Sequence, residues 1–363
     1  MELPPDIAKS LIPDATQTAT NLLQWPLPIL LGSVNLSNPE NFFSNDEPNT
    51  VDLQSLQMIA SPPKHVIDEL HDSLTNYPNA KSIACLHAGI NHQTTRLPLF
   101  ILTYWRKLVP IRLSQRKLTN ACQILEKFCQ SSTTSAEAKA LAYEVHNALG
   151  LLPWQTSIQG FPVEVDALYL TAFFSTEWLS SEHITWMMDL LDEDLQANGV
   201  TTTELIRETA TFMAKLGQAH LDADNYTTDQ GYRWIAKIGQ RLASGETNQL
   251  ALVANVNENH WVAILVDINT HAILYGNSLQ HDKNPAKLMN ALQWWLYYHF
   301  AEPFHVKPLP ITAQQDGHNC GIFAWQALEA MLLQKPLISS KGAYIQRLQL
   351  FKRVMERDKD KVQ

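Results

Sequence analysis

Three short stretches in the C-terminal half of the chain hold residue types that work together in nucleophilic chemistry. They are Asn259-His260-Trp261, then Tyr275-Gly276-Asn277-Ser278-Leu279, then Gln314-Gln315-Asp316-Gly317-His318-Asn319-Cys320-Gly321. A cysteine attacks a carbonyl as thiolate, and a thiol at a helix N-terminus beside an imidazole has its pKa lowered by the dipole and the neighbouring cation. Cys320 is placed for that. His260 would take the thiol proton and return it to a leaving amine, which requires its other ring nitrogen to be held by an acceptor; the side-chain oxygen of Asn277 is the candidate. Gln314, six residues before the thiol, can donate its amide to an oxyanion together with the backbone N–H of Cys320. Gly317 and Gly321 are expected to let the backbone turn tightly around the nucleophile.

These stretches need a sheet and a helix to bring them together. Residues 250–256, 260–267 and 272–275 are rich in Val, Ile and Leu with turn residues between them, which predicts three strands. Asn269-Thr270 makes a short hairpin turn, so the second and third strands should be antiparallel, with His260 and Asn277 near the same end of the sheet. Helical periodicity predicts helices over 180–195, about 202–216, 285–299, 321–333 and 344–357, with a further strand at 304–308. The mixed order gives an α+β domain.

Upstream, residues 1–63 are proline-rich with short apolar runs and read as a loosely structured arm. Residues 64–154 read as a helical accessory region, including an amphipathic helix between Pro98 and Pro110 and a face shared by Leu118, Cys122, Leu125 and Cys129. The domain boundary falls near Pro153-Trp154, so the third region is 155–363.

A chain of 363 residues with 45% hydrophobic content is long enough for one large or two medium domains. No run approaches the roughly 18 apolar residues of a membrane span, and the N-terminus lacks a basic region followed by an apolar one. The expectation is an intracellular protein of cytoplasm or nucleus. The formal charge is -9, and residues 160–335 carry twenty Asp and Glu against nine Lys and Arg, whereas residues from 336 on carry seven basic against three acidic. An acidic catalytic region argues against a nucleic-acid substrate and fits a basic protein partner. The four cysteines, Cys85, Cys122, Cys129 and Cys320, lack paired zinc-site spacing and are too few for a disulfide scaffold. Cys85, His87 and His92 lack a fourth ligand at suitable spacing, so no metal is expected there.

At this point a resemblance can be stated. The segments resemble the ubiquitin-like-protein-specific cysteine proteases, the Ulp/SENP family that processes and removes SUMO. Its pattern is His-Trp, then Asp-Ser-Leu, then Gln-x-Asn-Gly-x-Asp-Cys-Gly. His260-Trp261 matches directly, Asn277-Ser278-Leu279 stands at Asp-Ser-Leu, and the segment from Gln314 to Gly321 aligns without gaps. Glu177-Trp178-Leu179-Ser180 is similar to the Trp-Leu-Asn-Asp stretch that opens the domain. The resemblance spans roughly residues 160–357, and the overall layout is similar to members encoded near mobile elements in fungal genomes.

The resemblance implies a papain-like cysteine peptidase domain, a central mixed or antiparallel sheet flanked by helices. It implies cleavage after the C-terminal Gly-Gly of a ubiquitin-like modifier, SUMO-like by preference, through a thioester acyl-enzyme, with no cofactor. Catalytic roles fall on His260, Asn277, Gln314 and Cys320. Trp178 and Trp261 would flank a narrow channel for the Gly-Gly tail, since two indole faces leave room only for residues without side chains. The sequence departs from the pattern at Asn277, where the family has aspartate, and at Asp316 and Asn319, where acid and amide are exchanged. Two other readings stay open: a weak or inactive module that binds a ubiquitin-like protein, motivated by Asn277, and a Cys-His acyltransferase using acetyl-coenzyme A, which would need a basic pocket.

Overall fold

Strands buried on both faces read as near-continuous apolar runs, and the two longest such runs form the middle of the sheet that carries the site. The computed structural model describes residues 2–32, 38–86, 95–280 and 285–362, with side chains to residue 358. His87 and His92 lie outside the described residues. The chain divides into two units, Met1–Gln123 with His146–Thr156, and Ile124–Val145 with Ser157–Gln363.

The first unit contains the helices Pro5–Leu11, Ala19–Gln24, Leu53–Met58 and Lys64–Leu74, and a small three-stranded antiparallel sheet of Phe43–Ser44, Ser82–Ala84 and Arg96–Pro98. The loose arm expected over 1–63 is therefore corrected. Pro5 and Pro39 stand in the first turns of the helix Pro5–Leu11 and the 3-10 helix Pro39–Phe42, and Pro63 precedes the helix Lys64–Leu74, so these prolines begin helices rather than prevent them. Thr18 and Asp52 cap the next two through hydrogen bonds to Asn21 N and Ser55 N. Leu22 and Leu56 are buried. A second correction concerns Pro110, which lies inside one long helix, Phe100–Gln130, instead of ending a shorter one. Proline removes the bond to the carbonyl four residues earlier, and both Pro110 and Arg106 are exposed, so the loss falls on the solvated side.

The second unit is built on a five-stranded sheet: β1 (Thr203–Leu205), β2 (Gln249–Val256), β3 (His260–Asp267), β4 (Ala272–Gly276) and β5 (His305–Pro308), in the order β5-β4-β3-β2-β1. The β2–β3 and β3–β4 pairs are antiparallel, as the hairpin reading required, while β1 and β5 add in parallel at the edges. The helix expected over 202–216 is replaced by β1 and a helix at Thr209–Leu221. Thr202 and Thr203 belong to the β-branched class that suits an extended backbone, and Thr203 pairs with Gln249. The helix Arg233–Ala243 was not anticipated.

Alternation along the strands separates two cores. Leu250, Leu252, Ala254, Val262, Ile264 and Val266 join Phe212, Leu216, Leu292 and Trp295 in one cluster. The other face meets the helix Cys320–Leu333, of which twelve residues are buried. A helix apolar on all sides belongs in an interior; Trp325 Nε1 donates to Met187 O at 2.7 Å and ties it to the helix Ser181–Ala197. The basic closing helix, Ala343–Val362, is largely neutralised internally: Arg353 pairs with Asp194 at 2.9 Å, and Arg357 pairs with Asp189 and Glu193.

Candidate active site

His260, the candidate base, is set by a tight hairpin. Val256 pairs with His260 across Asn257, Glu258 and Asn259, and Asn257 and Glu258 take φ of 55° and 60°. Left-handed backbone at consecutive turn residues matches the twist of the flanking strands. His260 thus starts β3, and Asn277 follows the last residue of the neighbouring β4.

His260 Nε2 lies 2.8 Å from Asn277 Oδ1, which also accepts from Leu279 N at 3.0 Å. That second bond settles both assignments. A backbone N–H can only donate, so the Asn277 atom facing it is the oxygen; an oxygen facing Nε2 requires Nε2 to carry hydrogen. In the neutral ring Nδ1 is then the basic nitrogen.

Cys320 opens its helix, with Asn319 at the N-cap, and is 3% exposed. The backbone N–H groups of Trp261, the residue after His260, and of Gly321 are near enough to the thiol to act against its burial by favouring the thiolate. The lowered thiol pKa expected from the helix terminus is not found. Burial pushes the Cys320 thiol up, and the N–H donors together with the Arg347 charge offset this only in part. Burial therefore favours the neutral thiol, which as a nucleophile would need a base at the moment of attack.

The loop before the nucleophile is organised by Asp316. Its Oδ1 accepts from the backbone N–H of His318 and of Asn319, both at 2.9 Å, and its Oδ2 from Asn319 Nδ2 at 2.8 Å. Burial acts to raise the Asp316 pKa, but these hydrogen bonds outweigh it and hold the group below the usual carboxylate value. The exchange of acid and amide at 316 and 319 thus leaves a bonded acid–amide pair. His318 is partly buried with Nδ1 3.6 Å from Asp316 Oδ1, and burial lowers its pKa.

Gln314 is held by Ser278, whose Oγ donates to Gln314 Oε1 at 2.9 Å and whose carbonyl accepts from Gln314 N at 2.8 Å. Gln314 Nε2 donates to Asp316 O and, at 3.4 Å, to Asp316 Oδ1, so the amide is turned toward Asp316 and an oxyanion would compete with these acceptors for its N–H groups. Of the two glycines, neither has a left-handed φ, and a Cβ on Gly317 would meet open space, so the tight-turn role is corrected for both. Gly321 is needed for packing: a Cβ there would stand 3.1 Å from Ile184 Cδ1 and 3.3 Å from Trp261 Cδ1.

Both indoles reach this neighbourhood. Trp178 is 50% exposed, and its Nε1 donates to Gly317 O at 2.6 Å. Trp261 is buried, donates from Nε1 to Leu179 O at 2.8 Å, and borders a cavity of about 250 Å3 shared with Ser181, Glu182 and Arg207. The residue that sequence reasoning missed is Arg347, fully buried and bonded to Asn319 Oδ1 and His318 O. Its signal was faint: one arginine on an otherwise apolar stripe with Leu348 and Phe351, in a helix read as charged. Cys122 and Cys129, expected to be hidden on one helical face, are only half-buried, and the four cysteines form no disulfide. Among the described residues no cluster of metal-ligating side chains occurs, and no helix is long and apolar enough to cross a membrane.

A thiol at a helix start, an imidazole whose tautomer is fixed by an amide, and a mixed sheet packed on the nucleophile's helix define a cysteine protease with a papain-like fold. Residues 177–362 match the Ulp1 protease family, C-terminal catalytic domain. The chain belongs to that family, whose proteases act on ubiquitin-like modifiers. Solved structures similar to it include the yeast Ulp1 protease domain in complex with Smt3, the yeast ortholog of SUMO, at 17% identity over 61% of this chain and 96% of that one, with a TM-score of 0.47. A Chaetomium thermophilum Ulp1-like SUMO protease catalytic domain matches at 12% identity over 61% and 89%, TM-score 0.43. The Xanthomonas campestris effector XopD bound to ubiquitin matches at 19% identity over 48% and 91%, TM-score 0.34. No curated protein matches the chain.

The geometry at Asn277 carries a prediction. In Asn277→Asp, a carboxylate 2.8 Å from His260 Nε2 would favour the imidazolium and hence the thiolate. The pH midpoint for iodoacetamide modification of Cys320 should fall by about 1 unit or more. An unmoved midpoint would show that residue 277 does not govern the ring.

Proposed function

We propose that this chain is a peptidase and isopeptidase that cleaves after the C-terminal Gly-Gly of a SUMO-like modifier through a thioester acyl-enzyme. The observation that carries the reading is the His260 Nε2 to Asn277 Oδ1 bond, with Cys320 buried at the start of its helix and close enough to Trp261, the residue after His260, for that backbone N–H to favour the thiolate. As Cys320 Sγ bonds to the scissile carbonyl carbon, its proton passes to His260 Nδ1, and the carbonyl oxygen becomes an oxyanion facing the Cys320 N–H and the side-chain amide of Gln314. The C–N bond then breaks, and the amine leaves with the proton from His260. Water attacks the thioester with His260 again as base, releasing the glycine carboxylate and restoring the thiol. Trp178 and Trp261 serve as the walls that admit only the side-chain-free tail. The preference for a SUMO-like modifier is supported by the resemblance of the three motifs, and an intracellular site of action goes with it.

A second reading, a module that binds a modifier but turns it over weakly, is favoured by the amide at 277 and by the raised thiol pKa. SUMO and ubiquitin bearing a C-terminal propargyl amide separate the two. The expected result is a vinyl thioether at Cys320, formed at least about tenfold faster with SUMO, a difference of roughly 1.4 kcal/mol. Faster reaction with ubiquitin would reassign the modifier, and reaction with neither would favour the binding module.

A further inference from the structure

Arg347 is a cation with no exposed surface whose bonded partners are all uncharged. Nε donates to Asn319 Oδ1 at 2.6 Å; one terminal nitrogen donates to Ala172 O at 2.6 Å, Ser175 O at 3.1 Å and Glu177 O at 3.2 Å; the other donates to Glu177 O at 3.1 Å and His318 O at 2.8 Å. All five N–H groups of a guanidinium can be used in this way. Burying a charge is costly unless its hydrogen bonds are met, and a Leu or Met here would complete an apolar stripe.

The acceptors fall into two groups. Ala172, Ser175 and Glu177 belong to the 3-10 helix Ala167–Phe174 and the segment just after it, which is anchored in the core by Phe173 and Phe174. His318 and Asn319 are the two residues before the nucleophile. The first group is a fixed support and the second is what it holds. Asn319 continues the arrangement, since the amide that accepts from Arg347 donates to Asp316 at 2.8 Å, and Asp316 in turn accepts from the backbone of 318 and 319. The fork also reaches Glu177 O, next to Trp178, whose indole donates to Gly317 O.

We propose that Arg347 is a positioning residue for the reaction: its planar fork fixes the backbone of His318 and Asn319 against the 172–177 segment, and so sets the direction of the Cys320 Sγ and N–H. Lysine keeps the charge but has a point-like ammonium that cannot span three directions. This inference rests on the reading that Cys320 is the nucleophile, and displacements of about 1 Å in such a group cost on the order of 10²-fold in rate.

The test uses the full chain and the SUMO propargyl amide, with the saturating inactivation rate and the half-saturating probe concentration measured separately. In Arg347→Lys the saturating rate should fall about 10- to 100-fold, with half-saturation changed less than about threefold because the docked modifier supplies most binding. Tyr344→Phe is the control, since it removes one bond from the same helix to Phe174 O at 3.0 Å and should react within about twofold of the native chain. Asn319→Ala, which removes the Nε acceptor together with the amide's bond to Asp316 Oδ2, should lower the saturating rate about three- to tenfold, and its effect should not add to that of Arg347→Lys. Should Arg347→Lys fail to fold, Asn319→Ala decides alone. A saturating rate within threefold of native in both variants, or equal losses in Tyr344→Phe, would overturn the proposal. If neither modifier labels the native chain, the functional reading fails. Iodoacetamide modification of Cys320 then still reports on Arg347, with an unchanged rate counting against it.

Discussion

A Cys320→Ala chain should lose cleavage of a modifier C-terminal amide by on the order of 10⁴-fold or more and form no adduct with the electrophilic probe. The change removes one sulfur from a site that is 3% exposed at the start of a helix whose packing it otherwise leaves alone. Deleting one buried heavy atom leaves a small cavity, which costs about 1 to 3 kcal/mol. Melting should therefore drop by only about 2–10 °C for a unit of this size. Calorimetry alongside the cleavage assay separates lost chemistry from lost fold. Residual turnover above a hundredth of native in a folded Cys320→Ala chain would remove this thiol from the mechanism.

The next largest effect belongs to His260→Ala, with an expected loss on the order of 10³-fold, inside the 10²- to 10⁴-fold range of a positioned general base. Its pH dependence is more telling than its size. Burial holds the Cys320 thiol above its ordinary value of 9.0, so without the imidazole only the small thiolate fraction reacts. Below the thiol pKa that fraction grows about tenfold per pH unit. The residual rate of His260→Ala should rise with that slope between about pH 7 and 9, whereas the native rate, supplied with a base, should be much flatter. Parallel profiles for the two proteins would show that His260 does not take the proton. The double variant with Cys320→Ala should be no slower than Cys320→Ala alone, because the two groups act as a unit.

These expectations depend on features that were unequally readable beforehand. The strands carrying His260 and Asn277 were visible because both faces of the sheet are covered, which leaves long apolar runs, and because a short loop between two such runs forces them antiparallel. The hydrogen bond across them followed from the pairing. The region around Thr203 was misread because an edge strand of three residues has too little pattern to outweigh a following helical period. Pro110 was taken as a stop, whereas packing of Leu108 and Ile111 on the buried side carries the helix through it. The proline-rich start looked loose because its apolar residues are spread thinly, and only their convergence shows that Leu22 and Leu56 are core residues. Gln314 was recognised by type and position, but its partial engagement by Asp316 and Ser278 depends on a fold-back that spacing does not encode.

Which groups could react, and in what order they stand along the chain, is legible from residue types alone, because a thiol, an imidazole and two carboxamides have intrinsic chemistries and a hairpin is a local structure. Their working state is not. The raised thiol pKa, the part-spent amide of Gln314 and the guanidinium of Arg347 under the nucleophile all arise from desolvation and hydrogen bonds between segments far apart in the chain, up to 175 residues in the case of Arg347 and Ala172. Burial is a property of the packed molecule, and it alters protonation by changing what surrounds a charge, which no local stretch of residues can specify.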